Sequence, residues 1–503
     1  MNLPTGSSRS RPIFKRSLAL LAGSLLVTAF APFEFAWLAP LSLAALAILW
    51  QGDSPRQAAW SGFCFGLGLF CAGTYWLYIS LNILGGLWPP MALLLMLGLI
   101  VAMAAYVALC GYLVVLITPA GSWIRWLLVI PAVWTLTEWL RGWLFTGFPW
   151  MSLGYSQLDT VLVELAPVAG VYGVSWSVAL ASGLATGLVL GARYTRFAVV
   201  LIGGLLFGGL KYLGQVEWTE DAGDELRVTL VQGAVPQELK WRRDQLEPTL
   251  QLYRQLSLEQ GERDLIVWPE AAIPALPFEV PEFLLNLQAD MAEQDTQLFT
   301  GILTYDLDTG IYKNTLWALG QQEGMYFKRH LVPFGEYFPL PDFAKRILRI
   351  MNLPSESIRE GAADQPLLTV GDVPVAVTIC YEIAYGAEQL RFFPEAQLMV
   401  NVSNDAWFGD SIAPHQHLQI NRMRARETGR YLLRATNTGV TAVIGPMGQV
   451  RARIPQFEAG VLNAAVTPRT GATPYVRWGN TPVLAAMLLS LGLATLLRRR
   501  QTS

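Results

Sequence analysis

Three separated side chains in this sequence could together carry out acyl chemistry on a thiol. Cys380 follows an apolar run, 373–379, that predicts a buried strand, so a loop can present its thiol to a pocket. Glu270 follows a second strand-like run, 264–267, and Lys328 lies between the two. A thiol attacks as thiolate, and an ordinary cysteine, with a pKa of about 8.5, is mostly protonated at neutral pH. Glu270 could take the proton, and Lys328 could stabilise the thiolate and an oxyanion.

Each of these residues has a simpler interpretation when it is taken alone. Cys380 is the only cysteine of the long polar segment 215–478, whereas Cys64, Cys71 and Cys110 lie in apolar stretches near the N-terminus. A thiol without a partner in its own segment is not expected in a disulfide, so it serves packing or chemistry. A lone glutamate at a strand end is usually solvated, and a lone lysine usually lies on the surface.

Three motifs in a fixed order favour the chemical interpretation. The chain carries WPEAAIP from Trp268, then K-R-HLVPFGE from Lys328, then CYE from Cys380, and apolar runs flank them. Over nearly its whole length it resembles the nitrilase superfamily and, within that, the apolipoprotein N-acyltransferase family. The resemblance implies a Glu-Lys-Cys triad, made here of Glu270, Lys328 and Cys380, on an αββα sandwich.

The resemblance also implies roles for residues around the triad. Glu336 and Glu382 match carboxylates beside it and could orient Lys328 or the acceptor amine, although a structural ion pair would explain them equally well. Tyr381 either lines the pocket or only packs. Four more residues are candidates for contacting substrate or forming a lid, with packing or a turn as the alternative: Trp241, Asn314, Trp407 and Phe408.

The composition indicates a membrane part and one sizeable soluble domain. The chain has 503 residues, of which 53% are hydrophobic and 15% are charged, against about 25% charged in typical soluble domains. Residues 1–214 are mostly apolar runs, and the charged residues concentrate after them. The net charge of −2 and the lack of a basic patch interleaved with aromatics exclude nucleic acid as an expected partner.

Eight apolar runs could each supply most of the roughly 20 residues that cross a bilayer. The first resembles a secretory signal that ends in Ala29-Phe30-Ala31, but Pro32 and a second run follow at once, so we expect an uncleaved span. The sequence thus predicts about eight spans, at 18–31, 34–51, 57–80, 89–118, 124–145, 163–191, 196–214 and 479–497.

Lysine and arginine in the short loops predict the orientation of these spans. If the N-terminus is inside, basic residues cluster on that side, and the outer turns near 32–34, 81–88 and 146–162 hold none. The inside set is Arg9, Arg11, Lys15, Arg16, Arg56, Arg125, Arg193, Arg196 and Arg498 to Arg500. We therefore predict three parts: N-terminal transmembrane helices at 1–214, an extracytoplasmic catalytic domain at 215–478, and a C-terminal helix with a basic cytoplasmic tail at 479–503.

The polar segment alternates strand-like and helix-like runs, which predicts an α/β fold with helices covering sheets. Predicted strands are Leu226–Gln232, Asp264–Trp268, Gln297–Thr304, Asn314–Leu319, Val373–Cys380, Leu398–Val402 and Thr441–Gly445. Predicted amphipathic helices are Asp244–Glu259, Pro281–Gln294 and His415–Arg434.

No cofactor or metal ion is expected. The three histidines, His330, His415 and His417, do not make a convincing zinc site with a lone cysteine, and no phosphate-binding glycine motif joins a strand to a helix.

The family resemblance implies a multi-pass enzyme of the bacterial inner membrane, with its catalytic domain on the periplasmic side. It would move an acyl chain from a phospholipid, through a thioester on Cys380, to the α-amine of a diacylglyceryl-cysteine that begins an apolipoprotein. One alternative is a membrane-tethered nitrilase-like amidase that transfers the acyl group to water. A second is a transporter or scaffold with an inactive nitrilase-like domain, which the complete triad and the few intramembrane charges disfavour.

Overall fold

A computed structural model describes residues 10–337 and 358–502, so Arg9 of the predicted basic N-terminus lies outside the described residues. The chain separates into two compact units. The first contains the described residues up to Glu217, together with Asp410–Gln419 and the chain from Arg477 onward. The second contains Trp218–Gly409 and Ile420–Val476.

The first unit is helical. Its helices are long and apolar, and glycines let them approach closely: a Cβ on Gly66 of α3 would stand 2.6 Å from Ala104 Cα of α4. Its main helices are α1 Ser10–Leu26, α2 Leu38–Leu49, α3 Pro55–Gly73, α4 Pro89–Ile117, α5 Ile130–Arg141, α6 Ala166–Leu190, α7 Arg193–Leu213, and a final helix Thr481–Thr502.

Each of the eight predicted spans overlaps one of these helices, but not all of the helices are long enough to cross a bilayer. By length and composition, five segments qualify: Pro12–Ala29, Pro89–Ile117, Val161–Leu190, Arg193–Leu213 and Thr481–Arg500. A sixth arises if α3 and the helical stretch Trp76–Leu84, bent by 52° from each other, form one span. Helix α2 has only 12 residues, and α5 carries Glu138 and Arg141. The count of eight therefore stays a prediction.

The second unit is built on two six-stranded sheets. One has the strand order β13-β2-β3-β4-β5-β6, and the other β12-β11-β10-β9-β8-β7; β1 pairs only with β14. The strands are β1 Thr219–Asp221, β2 Leu226–Gln232, β3 Leu265–Val267, β4 Gln297–Asp306, β5 Ile311–Leu319, β6 Gly324–Phe327, β7 Leu368–Val370, β8 Val373–Ile379, β9 Leu398–Ser403, β10 Leu432–Thr436, β11 Thr441–Ile444, β12 Val450–Ile454, β13 Gly460–Val466 and β14 Arg469–Gly471.

The centre of each sheet is parallel. Strands β2, β3 and β4 run parallel in one sheet, and β8, β9 and β10 run parallel in the other. Strand β3 and strand β9 are buried throughout, as the strands of parallel sheets covered on both faces usually are. Side chains that follow the carboxyl ends of such strands tend to form binding crevices, and Glu270 and Cys380 follow β3 and β8.

Helices cover the outer faces of the sheets. Helices α8 Arg243–Leu258 and α9 Pro281–Glu293 pack on the first sheet, where Tyr253 and Leu287 join its apolar core. Helix α10 Ala413–Thr428 reaches the second sheet through its later turns, where Thr428 Oγ1 lies 3.3 Å from Met399 Sδ. The predicted α/β sandwich is confirmed.

The predicted helix His415–Arg434 is wrong in its last turns. Helix α10 ends at Thr428, Gly429 has a left-handed φ of 65° that terminates it, and Leu432–Thr436 is strand β10. Arg430 and Arg434, at the end of the predicted helix, are both fully buried. Some strands are too short or too exposed for their alternation of apolar and polar residues to be recognised in the sequence. They are β6, β7, β12 and β13.

Candidate active site

Glu270 stands on a tight turn just after β3. The carboxylate-bearing residue is only 8% exposed, and Ala271 after it has a left-handed φ of 47°. Gly301 on the neighbouring strand β4 makes room for this turn, since a Cβ there would lie 2.5 Å from Ala271 N and 2.7 Å from Glu270 Cα. The conformation that presents Glu270 therefore depends on the absence of a side chain at position 301.

The Glu270 carboxylate receives hydrogen bonds from three directions. Oε1 accepts from Asn314 Nδ2 at 2.7 Å and lies 3.5 Å from Lys328 Nζ. Oε2 accepts from the backbone N–H of Asn404, which follows β9 of the second sheet, at 2.8 Å. Donors from both sheets thus hold one carboxylate in one orientation.

Lys328 follows β6 and is 1% exposed, with its ammonium between two carboxylates. Nζ donates to Glu336 Oε1 at 2.9 Å and to Glu270 Oε1 at 3.5 Å. Burial alone would lower the pKa of Lys328, but the negative charges of Glu336 and Glu270 raise it above its ordinary value. The lysine is therefore a fixed cation.

Glu336 is held as firmly as Lys328. Its Oε2 accepts from the backbone N–H of Val332 at 2.8 Å, and its Oε1 accepts from Asn314 Nδ2 at 3.2 Å. Asn314 therefore bridges Glu336 and Glu270, and its predicted contact with substrate stays a prediction. Both carboxylates are positioned before any substrate binds.

Cys380 begins a short turn at the end of β8, with a left-handed φ of 55° that is unusual outside glycine. The residue is partly exposed. Burial of the thiol raises the pKa of Cys380, and the nearby charge of Glu270 raises it further, while Lys328 opposes both. The resting thiol is therefore protonated and needs a base to become a nucleophile.

Glu382 fixes the backbone around Cys380. Its Oε2 accepts from the backbone N–H of Ile379 at 2.7 Å, and its Oε1 accepts from the backbone N–H of Arg329 at 2.7 Å and of His330 at 3.2 Å. Burial raises the pKa of Glu382, and these backbone donors oppose the rise. One carboxylate thus ties the peptide before Cys380 to the peptide after Lys328.

The other predicted residues differ in exposure. Tyr381 is partly buried, and its hydroxyl accepts from the hydroxyl of Tyr385 at 3.0 Å. Trp241 is 49% exposed and Trp407 is 40% exposed, on short turns of the second unit, and Phe408 is partly exposed beside it. Exposed aromatic rings of this kind are available to an apolar ligand.

The arrangement suits covalent acyl transfer. A protonated thiol lies in the electrostatic field of a carboxylate that can take its proton and of a permanent ammonium that can neutralise an oxyanion. Within residues 10–337 and 358–502, no three or more His, Cys, Asp or Glu side chains cluster as metal ligands would.

Comparisons with known proteins agree with this chemistry. Residues 22–184 match the apolipoprotein N-acyltransferase N-terminal domain, and residues 227–475 match the carbon-nitrogen hydrolase family. The apolipoprotein N-acyltransferase of Methylococcus capsulatus is 45% identical over 488 residues, which cover 97% of each chain. That of Nitrosomonas europaea is 42% identical over 501 residues, covering 97% of this chain and 99% of the other. The chain belongs to the apolipoprotein N-acyltransferase family.

Family membership also fixes the nature of the second unit. The region that matches the carbon-nitrogen hydrolases contains Glu270, Lys328 and Cys380, so the two-sheet sandwich is the nitrilase-like fold. The apolipoprotein N-acyltransferase of Pseudomonas putida is similar over the same extent, with 40% identity over 96% of each chain. The solved structure of Nit3 from Saccharomyces cerevisiae, a member of the nitrilase superfamily, is also similar. The match covers 50% of this chain and 93% of Nit3 at 17% identity, with a TM-score of 0.37.

Lys240 is a site residue that the sequence analysis missed. It is 1% exposed, and its Nζ donates to the backbone carbonyl of Glu270 at 3.3 Å. Burial lowers the pKa of Lys240 to about 8, although the charge of Glu270 opposes the fall. In the sequence, its place beside Trp241 did not distinguish this lysine from a surface lysine.

The same short helix, Gln237–Lys240, reaches Glu270 by a second route. Gln237 Oε1 accepts from Asn404 Nδ2 at 2.9 Å, and the backbone N–H of Asn404 donates to the Glu270 carboxylate. The helix therefore holds the main chain of Glu270 through Lys240 and its carboxylate through Asn404.

Replacing Gly301 should displace Glu270 without disturbing the rest of the sheet. In Gly301→Ala the new methyl group meets backbone atoms that cannot move aside as a side chain would, so acylation of Cys380 should slow by at least about tenfold, as small misplacements of catalytic groups do. Gly460→Ala on β13 of the same sheet is the matched control, because its Cβ meets nothing within 4 Å. Equal acylation rates in both variants would contradict this account.

Lys240→Met should raise stability and lower activity. With the pKa of Lys240 near 8 instead of 10.5, burying its charge costs folding about 3 kcal/mol below pH 8, and the cost disappears as the pH rises through 10.5. Thermal unfolding should therefore show that Lys240→Met is more stable than wild type at pH 7 and equally stable near pH 11. Acylation of Cys380 should be slower in the variant, because the carbonyl of Glu270 loses its hydrogen-bond donor. Lys313→Met, at a partly exposed lysine over the Phe327 ring, is the control. A gain in stability that did not depend on pH would contradict the conclusion that Lys240 carries a buried charge.

Proposed function

We propose that this chain transfers an acyl chain from a phospholipid, through a thioester on Cys380, to the α-amine of the N-terminal diacylglyceryl-cysteine of an apolipoprotein. Similarity to apolipoprotein N-acyltransferases across 97% of the chain supports the reaction. The observation that carries the mechanism is the buried ammonium of Lys328 between Glu270 and Glu336, in the field of the Cys380 thiol.

In the first half-reaction Glu270 acts as the base. It takes the proton of the Cys380 thiol as the sulfur attacks the ester carbonyl of the phospholipid. The negative charge that forms on the carbonyl oxygen is neutralised by Lys328, whose raised pKa keeps it protonated throughout. The lysophospholipid alkoxide leaves with the proton that Glu270 received, and the acyl chain stays on sulfur as a thioester.

The second half-reaction reverses these roles. The α-amine of the acceptor attacks the thioester carbonyl, Glu270 takes a proton from that amine, and Lys328 again stabilises the oxyanion. The sulfur leaves and regains a proton from Glu270, so the enzyme returns to its starting state. Glu336 acts as a positioning residue, because its bond of 2.9 Å to Lys328 holds the ammonium where both oxyanions form.

Exclusion of water separates a transferase from a hydrolase. A thioester open to solvent would hydrolyse before the amine arrived, so the acyl-enzyme must be shielded. Trp407 and Phe408 lie on the short turn Asp405–Phe408 that follows β9, and Trp241 lies beside Lys240. We propose that these exposed rings contact the acyl chains and cover the thioester.

The membrane placement follows from the distribution of apolar and basic residues. We propose eight spans. Six are the segments that satisfy the length criterion when α3 and the stretch Trp76–Leu84 form one bent span, and the other two are α2 and the stretch that ends in α5. An even number of spans puts both termini on one side, and the basic loops put that side in the cytoplasm. The nitrilase-like unit then lies on the periplasmic side of the bacterial inner membrane, where both lipid-anchored substrates can reach it.

The covalent mechanism predicts a long-lived acyl-enzyme. Incubated with phospholipid alone, the full-length protein should gain the mass of one acyl chain at Cys380, and a diacylglyceryl peptide should discharge it. Glu270→Gln should form this species about 10²- to 10⁴-fold more slowly, because the thiol loses its base. Cys380→Ala should gain no mass, whereas Cys71→Ala, at an exposed cysteine of the helical unit, should behave as wild type. Intact-protein mass spectrometry measures each species.

Two results would refute this mechanism. Acyl transfer by Cys380→Ala would exclude the thioester. Release of free fatty acid from labelled phospholipid, with no trapped thioester and no dependence on the acceptor, would replace the transferase with the hydrolase alternative.

Reporter fusions test the proposed topology. A fusion after residue 222 should report the periplasm and one at residue 503 the cytoplasm, because lysine and arginine in the short loops set the orientation. A matched fusion at residue 192, between α6 and α7, should report the cytoplasm. A cytoplasmic signal from residue 222 would overturn the assignment.

A further inference from the structure

A row of polar side chains lies directly beside the nucleophile, across the three parallel strands of the second sheet. Thr378 of β8, Asn401 of β9 and Arg434 of β10 occupy the same register, and all three are fully buried. Polar side chains at the centre of a sandwich are costly unless they are bonded to one another. The row lies at the end of β8, where Thr378 is two residues before Cys380.

Asn401 holds the main chain at the nucleophile. Its Nδ2 donates to Thr378 Oγ1 at 3.0 Å and approaches the carbonyl oxygen of Cys380 at 3.4 Å. Its Oδ1 accepts from Arg434 Nη1 at 2.5 Å. The left-handed conformation of Cys380 thus receives support from a residue that is itself fixed by a buried cation.

Arg434 also makes a buried ion pair. Its Nη2 donates to Asp405 Oδ2 at 2.5 Å, and both side chains have no exposed surface. Gly439 leaves the space for this carboxylate, because a Cβ there would lie 2.5 Å from Asp405 Oδ2. A buried pair of this kind seldom adds stability over apolar residues of the same size, so its presence calls for a role in positioning.

Ser403 connects this ion pair to the nucleophile. Its hydroxyl donates to Asp405 Oδ1 at 2.7 Å. Ser403 follows Val402, which pairs in register with Ile379, so Ser403 and Cys380 are neighbours where β9 and β8 end. Burial raises the pKa of the Cys380 thiol, and a hydrogen bond from the Ser403 side chain opposes that rise. A hydroxyl has one hydrogen and two lone pairs. While the hydrogen points to Asp405, the oxygen accepts from the thiol S–H; once the thiol has lost its proton, only a turned hydroxyl can bond to the sulfur.

We propose that Ser403 is a further catalytic residue, whose hydroxyl turns its hydrogen from Asp405 to the Cys380 sulfur as the thiolate forms. The proposal rests on the function given above for Cys380. Asp405 can release this hydrogen bond because its other oxygen keeps the bond from Arg434. Ser403 thereby stabilises the nucleophile from the side of the second sheet, whereas Lys328 follows β6 of the first.

The proton and charge balance of this step is simple. The thiol proton goes to Glu270, the Ser403 O–H bond stays intact and only rotates, and no other covalent bond changes. When the thioester forms, the sulfur no longer carries a charge and the hydroxyl returns to Asp405. The same rotation stabilises the departing sulfur when the amine discharges the thioester. The charged groups around the sulfur are Glu270, Lys328 and Asp405.

Alkylation of Cys380 by iodoacetamide tests the proposal without any acyl donor. The full-length protein in detergent is alkylated at a fixed pH near 8, and peptide mass mapping follows Cys380 apart from the other cysteines. Ser403→Ala should be alkylated about tenfold more slowly, because the thiolate loses a hydrogen-bond donor. A loosened fold would expose the thiol and speed alkylation, so slowing cannot come from misfolding.

Thr436→Val is the matched control. Thr436 pairs in register with Ser403 on the next strand, it is equally buried, and its hydroxyl bonds to Gln232 and Thr441. Its alkylation rate should equal that of wild type. An unchanged or faster rate in Ser403→Ala overturns the proposal.

Thioester formation and discharge supply a second measurement. Both rates should fall in Ser403→Ala by about the same factor as alkylation, since sulfur is charged in both transition states. Failure of the wild-type protein to form a thioester would refute the acyltransferase function but would leave the alkylation result standing. Slower alkylation with unchanged thioester rates would refute a catalytic role for Ser403.

Discussion

The site depends on one buried cation shared by two carboxylates. Lys328 has almost no contact with solvent, and the desolvation of its charge is offset by Glu336 at 2.9 Å and Glu270 at 3.5 Å. Removing either partner from such a buried cluster costs several kcal/mol, about 3–5, because an unpaired charge remains in the interior. The turns after β3 and β6 and the loop that carries Glu336 therefore fold into one arrangement or lose stability together.

Buried hydrogen bonds from the other sheet hold Cys380 in a single conformation in the same way. Cys380 has a strained backbone conformation, which persists because Glu382 binds the peptide before it and Asn401 binds its carbonyl oxygen. These bonds orient the thiol, while burial and the charge of Glu270 keep it protonated at rest. Positioning and low resting reactivity thus arise from the same buried surroundings, and reactivity appears when a base and an oxyanion partner act together.

Sequence alone could predict the parts of this site that follow recognisable strands. Glu270 and Cys380 follow apolar runs, and those runs are β3 and β8, although the catalytic roles stay predictions. The buried Lys240 could not be found, because a lysine that binds a carbonyl looks in sequence like one in water. Strand β10 was not predicted for a similar reason, because Arg434 interrupts its apolar pattern. Asp405 and Asn401, which bind Arg434 in the interior, are distant from it in the sequence.

The proposed base and the proposed nucleophile come from different sheets. Glu270 follows β3 of one sheet and Cys380 follows β8 of the other, with the N–H of Asn404 reaching from the second sheet to the Glu270 carboxylate. A chain emerging from the membrane with only one sheet formed would have a thiol but no base, or a base but no thiol. The proposed acyl chemistry would then begin only when both sheets are in place. The proposed chemistry is thus coupled to completion of the two-sheet fold.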